Sequence, residues 1–404
     1  MTSRRSLVGS EVDVEVGAVA HGGHCVARHD GRVIFVRHAI PGERVLARVT
    51  DGDTESRYLR ADAVEVLRPS ADRVVPPCPH AGPDACGGCD FQHVTLGRQR
   101  TMLADVVREQ LHRLAGLDWP VEVEPVPGDV DGLRWRTRVR FTATAEGRAG
   151  LHKHRSHDVV AVDDCRIASR HLPDVGDALR GGAPSADAVV TATGDRVVVA
   201  AHAPSPVVTE EAVGRRWQIL ATDFWQVHPG APGALAAAVL DEVEPVAGER
   251  CWDLFCGAGL FAAALAERVG PDGSVVAVEG RRRTVELARR NLADLPQVRF
   301  VAERVDGFVR SRIAQGRLDV VVLDPPRSGA GRQVIRALAK QHPRVVAYVA
   351  CDPAALARDL ATLDTCGYAL TAIRAFDIFP MTQHVECVAI CRPRIAPRQT
   401  PSTP

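Results

Sequence analysis

The second half of the chain alternates between short apolar runs and stretches with helical spacing of apolar residues. From residue 216 onward the apolar runs are CWDLFCGAG, SVVAVEG, VRFVAERV, LDVVVLDPP and RVVAYVACDP, followed by YALTAIRAF and HVECVAICRPR. Unbroken runs of this kind are typical of parallel strands that are covered on both faces. Strand–helix alternation predicts a doubly wound α/β domain over residues 216–393, with ligands bound at the carboxyl ends of the strands.

The N-terminal pattern is different, with short alternating segments separated by glycine and proline. VDVEVGAVA, RVIFVRHAIPGERVLARV and YLRADAVEVL lie between turns, which predicts a small β-barrel over residues 1–68. Prolines at 69, 76, 77 and 79 then mark a boundary. Residues 69–215 are mixed, with a helix near 98–115 and strands near 134–145 and 187–201, so a central α+β domain is expected. The tail, residues 394–404, is expected to be disordered.

Composition narrows the class of protein. Hydrophobic residues make up 46% and charged residues 25%, as in globular proteins, and no run of 18 apolar residues is present. The N-terminus has no apolar core that could act as a signal peptide, so a cytoplasmic location and no membrane contact are expected. With 50 basic and 50 acidic residues the net charge is zero, so any RNA contact must come from local patches.

The turn after the first strand of the α/β domain is a candidate cofactor site. DLFCGAG places Gly257 and Gly259 where a backbone can approach a ligand, although a tight structural turn would look the same. Glu279 ends the second strand, where it can accept hydrogen bonds from ribose hydroxyls. Ala262 stands where a dinucleotide motif has its third glycine, which favours a nucleoside such as S-adenosylmethionine. Asp324, before two prolines, ends the fourth strand and is either a site carboxylate or a solvated turn residue.

Four of the 11 cysteines form a candidate metal centre. Three lie close together in CPHAGPDACGGCDFQH and one lies further along; they are Cys78, Cys86, Cys89 and Cys165. In a reducing compartment such a group favours a four-thiolate centre over free thiols. Thiolates suit zinc and iron–sulfur clusters equally, so this chemistry alone leaves both open.

A basic segment in the central region is a candidate RNA contact. Its arginines alternate along a predicted strand, which would place them on one face; they are Arg134, Arg136, Arg138 and Arg140. The alternatives are a solvated strand face and a groove that binds phosphates, and we favour the groove.

Five motifs, in their order and spacing, resemble those of the uracil-5 RNA methyltransferase family, and the likeness extends over nearly the whole chain. They are DFWQVHPG, DLFCGAG, LDPPRSG, YVACDPAALARDL and FPMTQHVECV. The N-terminal segment resembles a TRAM domain, an OB-like RNA-binding module. The resemblance implies a class I, Rossmann-like, seven-stranded S-adenosylmethionine methyltransferase domain. It also implies that the four cysteines hold a [4Fe–4S] cluster.

The same resemblance assigns roles to individual residues. Cys351, at the carboxyl end of a predicted strand, would be the nucleophile that adds to uracil C6, and Glu386 would be the general base. The cofactor contacts would be Gln226, Phe255, Glu279 and Asp324, beside Gly257 and Gly259. The family commonly has Asn where this chain has His228, Leu260 and Arg304, so no cofactor role is carried over to Leu260 or Arg304. Asp352 replaces the usual Asn after the nucleophile, and its charge would raise the pKa of the thiol.

Three questions stay open at this level. The methylated atom could instead be an exocyclic amine of adenine or guanine, because an Asp-Pro-Pro turn also suits that chemistry. A non-catalytic iron–sulfur protein that binds RNA or senses redox state is a rival from another class. The RNA is expected to be 23S rRNA first and tRNA second, since a TRAM domain with four cluster cysteines resembles the ribosomal members. The chain is expected to act as a monomer.

Overall fold

Five short strands close into a β-barrel at the N-terminus of the computed structural model, which describes residues 5–311, 314 and 316–394. The strands are β1 Glu11–Val19, β2 Cys25–His29, β3 Arg32–Arg37, β4 Arg44–Asp51 and β5 Tyr58–Arg68. Alternate residues such as Val14, Val16, Ile34 and Val36 point inward and are buried, as the two-residue period requires. The closed order β1-β2-β3-β5-β4 confirms the predicted OB-like barrel.

The central region contains a five-stranded sheet of order β11-β10-β7-β8-β9 and a two-stranded hairpin. The sheet is formed by β7 Arg138–Ala143, β8 Ala149–His152, β9 Val159–Ala161, β10 Ser185–Val190 and β11 Arg196–Ala200, with the short helix α2 Gly176–Arg180. The hairpin is formed by β12 Val207–Ala212 and β13 Arg215–Leu220. Two further elements precede the sheet in the chain, α1 Leu96–Ala115 and β6 Val123–Pro125.

The C-terminal region is an eight-stranded sheet of order β16-β15-β14-β17-β18-β20-β19-β6. Its strands are β14 Arg250–Leu254, β15 Ser274–Glu279, β16 Val298–Ala302, β17 Val320–Leu323, β18 Val345–Ala350, β19 Tyr368–Asp377 and β20 Glu386–Pro393. Its helices are α3 Ala231–Val243, α4 Leu260–Val269, α5 Arg282–Asn291, α6 Val305–Phe308, α7 Arg332–Ala339 and α8 Pro353–Thr365. The five strands from β16 to β18 are parallel, and β20 runs antiparallel to both β18 and β19.

Helices cover both faces of this sheet, which explains its unbroken apolar strands. Val320 and Val322 face the same core as Leu235 and Leu265, whereas Val321 and Leu323 face the opposite core. The predicted Rossmann-like fold is therefore confirmed. The sheet has one strand more than the seven expected, because β6 pairs in parallel with the edge strand β19.

Part of the segment expected to form the central domain thus belongs to the C-terminal layer. Helix α1 packs against α8, and β6 extends the sheet. The domain boundaries at 68, 215 and 393 stay predictions, and the tail from residue 395 lies outside the described residues. Within the described part of the chain, no helix has the length and apolar character needed to cross a bilayer.

A buried hydrogen-bond network fixes the loop that follows β17. The hydroxyl of Tyr348 donates to Asp359 Oδ2 at 2.7 Å and accepts from the backbone N–H of Ala330 at 3.1 Å. The same carboxylate oxygen accepts N–H groups from Ala330 and Gly331 at 2.8 and 3.1 Å. The network therefore ties β18, α8 and the loop after Asp324 together.

Tyr348→Phe should lower the free energy of unfolding by about 1–2 kcal/mol, because it removes both the hydrogen bond donated to Asp359 and the one accepted from Ala330, whose N–H keeps Asp359 as a partner. Urea denaturation followed by circular dichroism measures the loss. Tyr58→Phe is the control, since Tyr58 is 44% exposed on the barrel and its substitution should change stability by less than about 0.5 kcal/mol. Equal stabilities for the two variants would contradict the role of the network.

Candidate active site

Three candidate catalytic side chains lie at one edge of the sheet because of its strand order. Asp324 follows β17, Cys351 follows β18, and Glu386 begins β20. The antiparallel register pairs Ala350 with Cys387, so Cys351 and Glu386 lie next to each other on adjacent strands. The two residues are 35 positions apart in the sequence, so the pairing of the two strands is what brings them together.

The environment of Cys351 disfavours its thiolate in the free protein. Burial, followed by the charges of Glu386 and Asp324, raises the pKa of Cys351 to about 12, and Arg327 opposes this shift. Because thiolate is the nucleophilic form, the free protein holds this cysteine in a protected state. A substrate or cofactor that changes the local charge would have to activate it.

The two carboxyl groups beside Cys351 are also perturbed. Burial raises the pKa of Asp324 to about 7. Burial and the charge of Asp324 raise the pKa of Glu386 well above its ordinary value, with Arg327 acting in the opposite direction. Glu386 is 2% exposed. Buried carboxyl groups with raised pKa values are typical of general acids and bases.

The turn after β14 has the backbone geometry of a ligand cradle. Phe255, Gly257 and Gly259 have φ of +64°, +51° and +96°. A Cβ atom at Gly259 would lie 3.1 Å from Leu292 Cδ1, so glycine is needed there for both conformation and space. Helix α4 starts at the next residue, so its N-terminus faces the turn.

Two of the remaining predicted cofactor residues lie at the ends of strands next to this turn. Glu279 ends β15 and accepts the N–H of Arg281 at 2.9 Å, while the backbone N–H of Asp324, just after β17, donates to Leu254 O at 3.2 Å. The carboxyl ends of such strands are where doubly wound folds bind ligands. Gln226 is 8% exposed in the segment before α3.

Sequence reasoning missed Asp253, the acidic residue of DLFCGAG. Its side chain is fully buried, and burial raises its pKa to about 8, with Asp324 and Glu279 adding to the shift. Three carboxyl groups therefore surround the turn after β14. A carboxylate that interrupts the apolar run CWDLF was the signal that could have found it.

The positions that depart from the family pattern have structural contacts of their own. His228 is buried, stacks on Trp135 at a ring distance of 6.0 Å, and accepts the N–H of Gly230 at 3.1 Å. Leu260 packs against a hydrophobic core, and Arg304 pairs with Asp306 at 3.0 Å on the surface.

The four candidate metal-binding cysteines line one small cavity between the CPHAGPDACGGCDFQH loop and the central sheet. Cys89 Sγ accepts Gln92 Nε2–H at 3.2 Å, and Cys86 Sγ accepts the backbone N–H of Gly88 at 3.4 Å. Such N–H donors are typical partners of metal-bound thiolates. No group of three or more ligands among the described residues is already arranged as a metal site. The donor set and the shared cavity nevertheless fit a four-thiolate centre.

The expectation that four arginines alternate along one strand is wrong. Strand β7 begins only at Arg138, and Arg134 lies in the left-handed region with φ of +61°. Arg134 pairs with Asp164 at 2.5 Å, Arg138 with the buried Glu210 at 2.5 Å, and Arg140 with Asp187 at 2.8 Å. Arg136 instead donates to the carbonyl of Arg138 at 3.2 Å and lines the cysteine cavity.

The order of the sheet and the glycine turn after β14 define a class I methyltransferase domain, here joined to an OB-like barrel. Residues 236–392 match the family model described as tRNA (uracil-5-)-methyltransferase, and residues 5–64 match the TRAM domain. An uncharacterised RNA methyltransferase of Streptomyces coelicolor is 46% identical, covering 96% of this chain and 94% of its own. The 23S rRNA (uracil(1939)-C(5))-methyltransferase of Pseudomonas fluorescens is 33% identical, covering 95% and 94%.

Among solved structures, the tRNA (uracil-54, C5)-methyltransferase of Pyrococcus abyssi, in complex with S-adenosyl-L-homocysteine, has the same fold. It superposes with a TM-score of 0.69 at 21% identity, covering 94% of this chain and 100% of its own. The chain belongs to the RNA (uracil-5-)-methyltransferase family and is an S-adenosylmethionine-dependent RNA methyltransferase.

The raised pKa of Cys351 predicts slow alkylation of the free protein by iodoacetamide near neutral pH. The rate should keep rising up to about pH 10, since the thiolate fraction grows about tenfold per pH unit below the pKa. Asp324→Asn removes a charge that raises this pKa, so it should speed alkylation at pH 9. Peptide mass spectrometry identifies the modified residue, with Cys351→Ser as control. A rate that levels off below pH 8 would show that the thiolate is already present.

Proposed function

We propose that the chain methylates carbon 5 of a uridine in RNA through a covalent bond between Cys351 and carbon 6. The observation that carries the proposal is the adjacency of Cys351 and Glu386 across the β18–β20 pair, with Asp324 alongside. Uracil C5 is a weak nucleophile, and addition of a thiolate to C6 converts the ring into an enolate that can attack a methyl group.

The reaction balances with the side chains at this edge of the sheet. The Cys351 thiolate forms a bond to C6, and C5 then takes the methyl group of S-adenosylmethionine, which leaves as S-adenosylhomocysteine. Glu386 accepts the C5 proton as the general base, and the C6–sulfur bond breaks to release the thiolate. Because burial raises the pKa of Glu386, its carboxylate is a stronger proton acceptor than an ordinary one. An exocyclic amino-methyltransferase would need no thiol at this position.

S-Adenosylmethionine would lie over the turn after β14. Phe255, Gly257 and Gly259 would approach it through the backbone, and Glu279 would accept hydrogen bonds from the ribose hydroxyls. Gln226 and Asp324 would complete the contacts, with Asp324 placed between the cofactor and the uracil. The buried carboxyl of Asp253 lies in β14, directly before this turn.

The uridine would have to leave its stack to reach Cys351 from one face and the methyl donor from the other. Phe224, two residues before Gln226, is 73% exposed. Its ring offers a surface on which an unpaired base could stack. The barrel of residues 1–68 and Arg136 would hold the RNA backbone. Residues 69–215, apart from α1 and β6, would form the cluster-binding domain, and residues 216–393 with these two elements the methyltransferase domain.

We infer 23S rRNA as the first candidate for the substrate and tRNA as the second. The full-length relative from Pseudomonas fluorescens carries the name of a 23S rRNA methyltransferase, and its likeness covers the barrel and the cysteine region. The Pyrococcus abyssi tRNA enzyme shares the fold at only 21% identity, so its substrate does not indicate the substrate of this chain. The protein would act in the cytoplasm as a monomer.

We also propose that Cys78, Cys86, Cys89 and Cys165 hold a [4Fe–4S] cluster. Their shared cavity and the N–H donors to two of the sulfur atoms support this assignment over four free thiols. When bound, the cluster would cross-link the CPHAGPDACGGCDFQH loop to the central sheet and so stabilise this region. It would take no part in methyl transfer.

Substitutions of the two candidate catalytic residues should stop the reaction at different steps. Cys351→Ala should form neither methylated product nor covalent complex. Glu386→Gln should stop after methyl transfer, with Cys351 bonded to C6, and lose at least ~100-fold in turnover, as expected for loss of a positioned base. Denaturing gels with labelled RNA separate the outcomes, and RNA containing 5-fluorouridine traps the wild-type enzyme for comparison.

The same gels, run with a 23S rRNA fragment and with tRNA, identify the substrate, and we expect the adduct with rRNA. Normal methylation by Cys351→Ala would refute the covalent mechanism and favour an exocyclic nitrogen as the target. An adduct with tRNA alone would reverse the order of the two substrates.

The cluster proposal predicts a brown protein after anaerobic purification, with broad absorbance near ~400 nm, as is typical of iron–thiolate centres. Replacing any one of the four cysteines by alanine should bleach the colour and destabilise the central region. Cys366→Ala is the matched control, since Cys366 lies at the end of α8 and should leave the spectrum unchanged. A colourless protein with stoichiometric zinc would replace iron–sulfur by zinc at the same residues.

A further inference from the structure

The turn between β1 and β2 of the barrel reaches the residue that follows the nucleophile. His21 Nε2 lies 3.0 Å from Asp352 Oδ2, a contact between residues 331 positions apart in the chain. The two side chains are 39% and 23% exposed, so the pair lies at the rim of the domain contact. It joins the barrel directly to the Cys351–Asp352 turn.

The same barrel turn is closely packed against the segment that leads to Glu386. Gly23 has φ of +76°, and a Cβ atom added there would lie 2.6 Å from Gln383 Cβ. The backbone N–H of Gln383 donates to Asp90 Oδ2 at 3.1 Å, and Asp90 is 3.6 Å from Arg37 of the barrel. The barrel turn therefore contacts both the residue after the nucleophile and the segment before Glu386.

Asp352 divides its two carboxylate oxygens between two partners. Oδ1 accepts the N–H of Ala355 at 2.7 Å and caps the N-terminus of α8, which begins at Pro353. Oδ2 faces His21. An asparagine here could cap the helix with its oxygen, but its amide nitrogen would then face His21 as a donor. A carboxylate is the side chain that accepts from both sides.

The charges around the pair favour its ionised form. The hydrogen bond that His21 donates to Asp352 raises the pKa of His21, with burial and Arg358 on α8 opposing and Glu109 on α1 reinforcing the shift. Burial alone would raise the pKa of Asp352, but hydrogen bonds from His21 and Ala355 hold it below its ordinary value. A charge-assisted hydrogen bond is shorter and stronger than a neutral one.

We propose that His21 is a positioning residue for the nucleophile. By holding Asp352 from the barrel, it fixes the start of α8 and the backbone that carries Cys351, so that the RNA-binding domain and the nucleophile share one rigid contact. The proposal rests on the proposed role of Cys351, and it adds a residue from the N-terminal barrel to the catalytic domain's machinery.

A double-mutant cycle tests this coupling. His21→Ala, Asp352→Asn and the double variant are compared by kcat at saturating RNA and S-adenosylmethionine, and by the rate of adduct formation with 5-fluorouridine RNA. His21→Ala should lower both rates about 10-fold, the loss expected for one hydrogen bond to a charged group. In the Asp352→Asn background, removal of His21 should have less than about a threefold further effect. His21→Gln keeps a donor and should recover most of the rate.

His112→Ala is the matched control, because His112 lies on α1, outside the barrel, and pairs with the exposed Asp118 at 2.8 Å. It should leave both rates unchanged. The proposal fails if His21→Ala behaves like this control, if only the KM for RNA changes, or if the loss is equally large in the Asp352→Asn background. Should His21→Ala misfold by circular dichroism, the same comparison is made with His21→Leu, which removes the donor and keeps most of the side-chain volume. A wild-type protein that forms no adduct would refute the covalent mechanism itself.

Discussion

The antiparallel pairing of β18 with β20 is the interaction on which the site depends. It sets Ala350 opposite Cys387, and so places the nucleophile candidate after one strand beside the base candidate at the start of the next. A shift of one residue in this register would turn Glu386 to the other face of the sheet, where it could no longer reach the same substrate. The pairing is protected by burial, because every residue of β18 lies in the hydrophobic core.

Burial has an electrostatic consequence at the edge of this pair. Asp324 and Glu386 lie in a region that disfavours charge, so the pKa values of both rise, and together they raise the pKa of Cys351. Arg327 acts against this trend for both Glu386 and Cys351. Burial therefore disfavours the thiolate of Cys351 and the charged forms of both carboxyl groups, so the nucleophile stays unreactive until a substrate changes the charge around it.

Much of the fold could be predicted because it is encoded locally. The apolar runs of β14 to β18 and the alternation in the barrel are properties of short segments, and both predictions are confirmed. The arginine strand was wrong for a local reason: a left-handed residue at Arg134 ends the alternation that the sequence suggests. Strand β6 joins the distant sheet edge through a tertiary pairing that three residues cannot encode by pattern.

Sequence alone pointed to a site residue only where a motif places it at a strand end. Cys351 and Asp324 met this condition, whereas the role of Glu386 came from family resemblance, since a glutamate at a strand start is otherwise unremarkable in sequence. His21 carried no signal, because its partner lies 331 residues away and its own segment predicts only a turn. Asp352 carried a partial signal, because it replaces the Asn that the family usually has after the nucleophile.

These long-range contacts all involve the C-terminal region of the chain. Helix α1 and β6 leave the central segment to pack on the C-terminal layer, the barrel turn contacts Asp352 and Gln383, and Asp90 beside Cys89 accepts the N–H of Gln383. The three regions therefore meet around the carboxyl end of β18 and the segment before β20. A change in how the barrel or the cysteine loop sits would therefore act next to the nucleophile, through Asp352, and near the base, through Gln383.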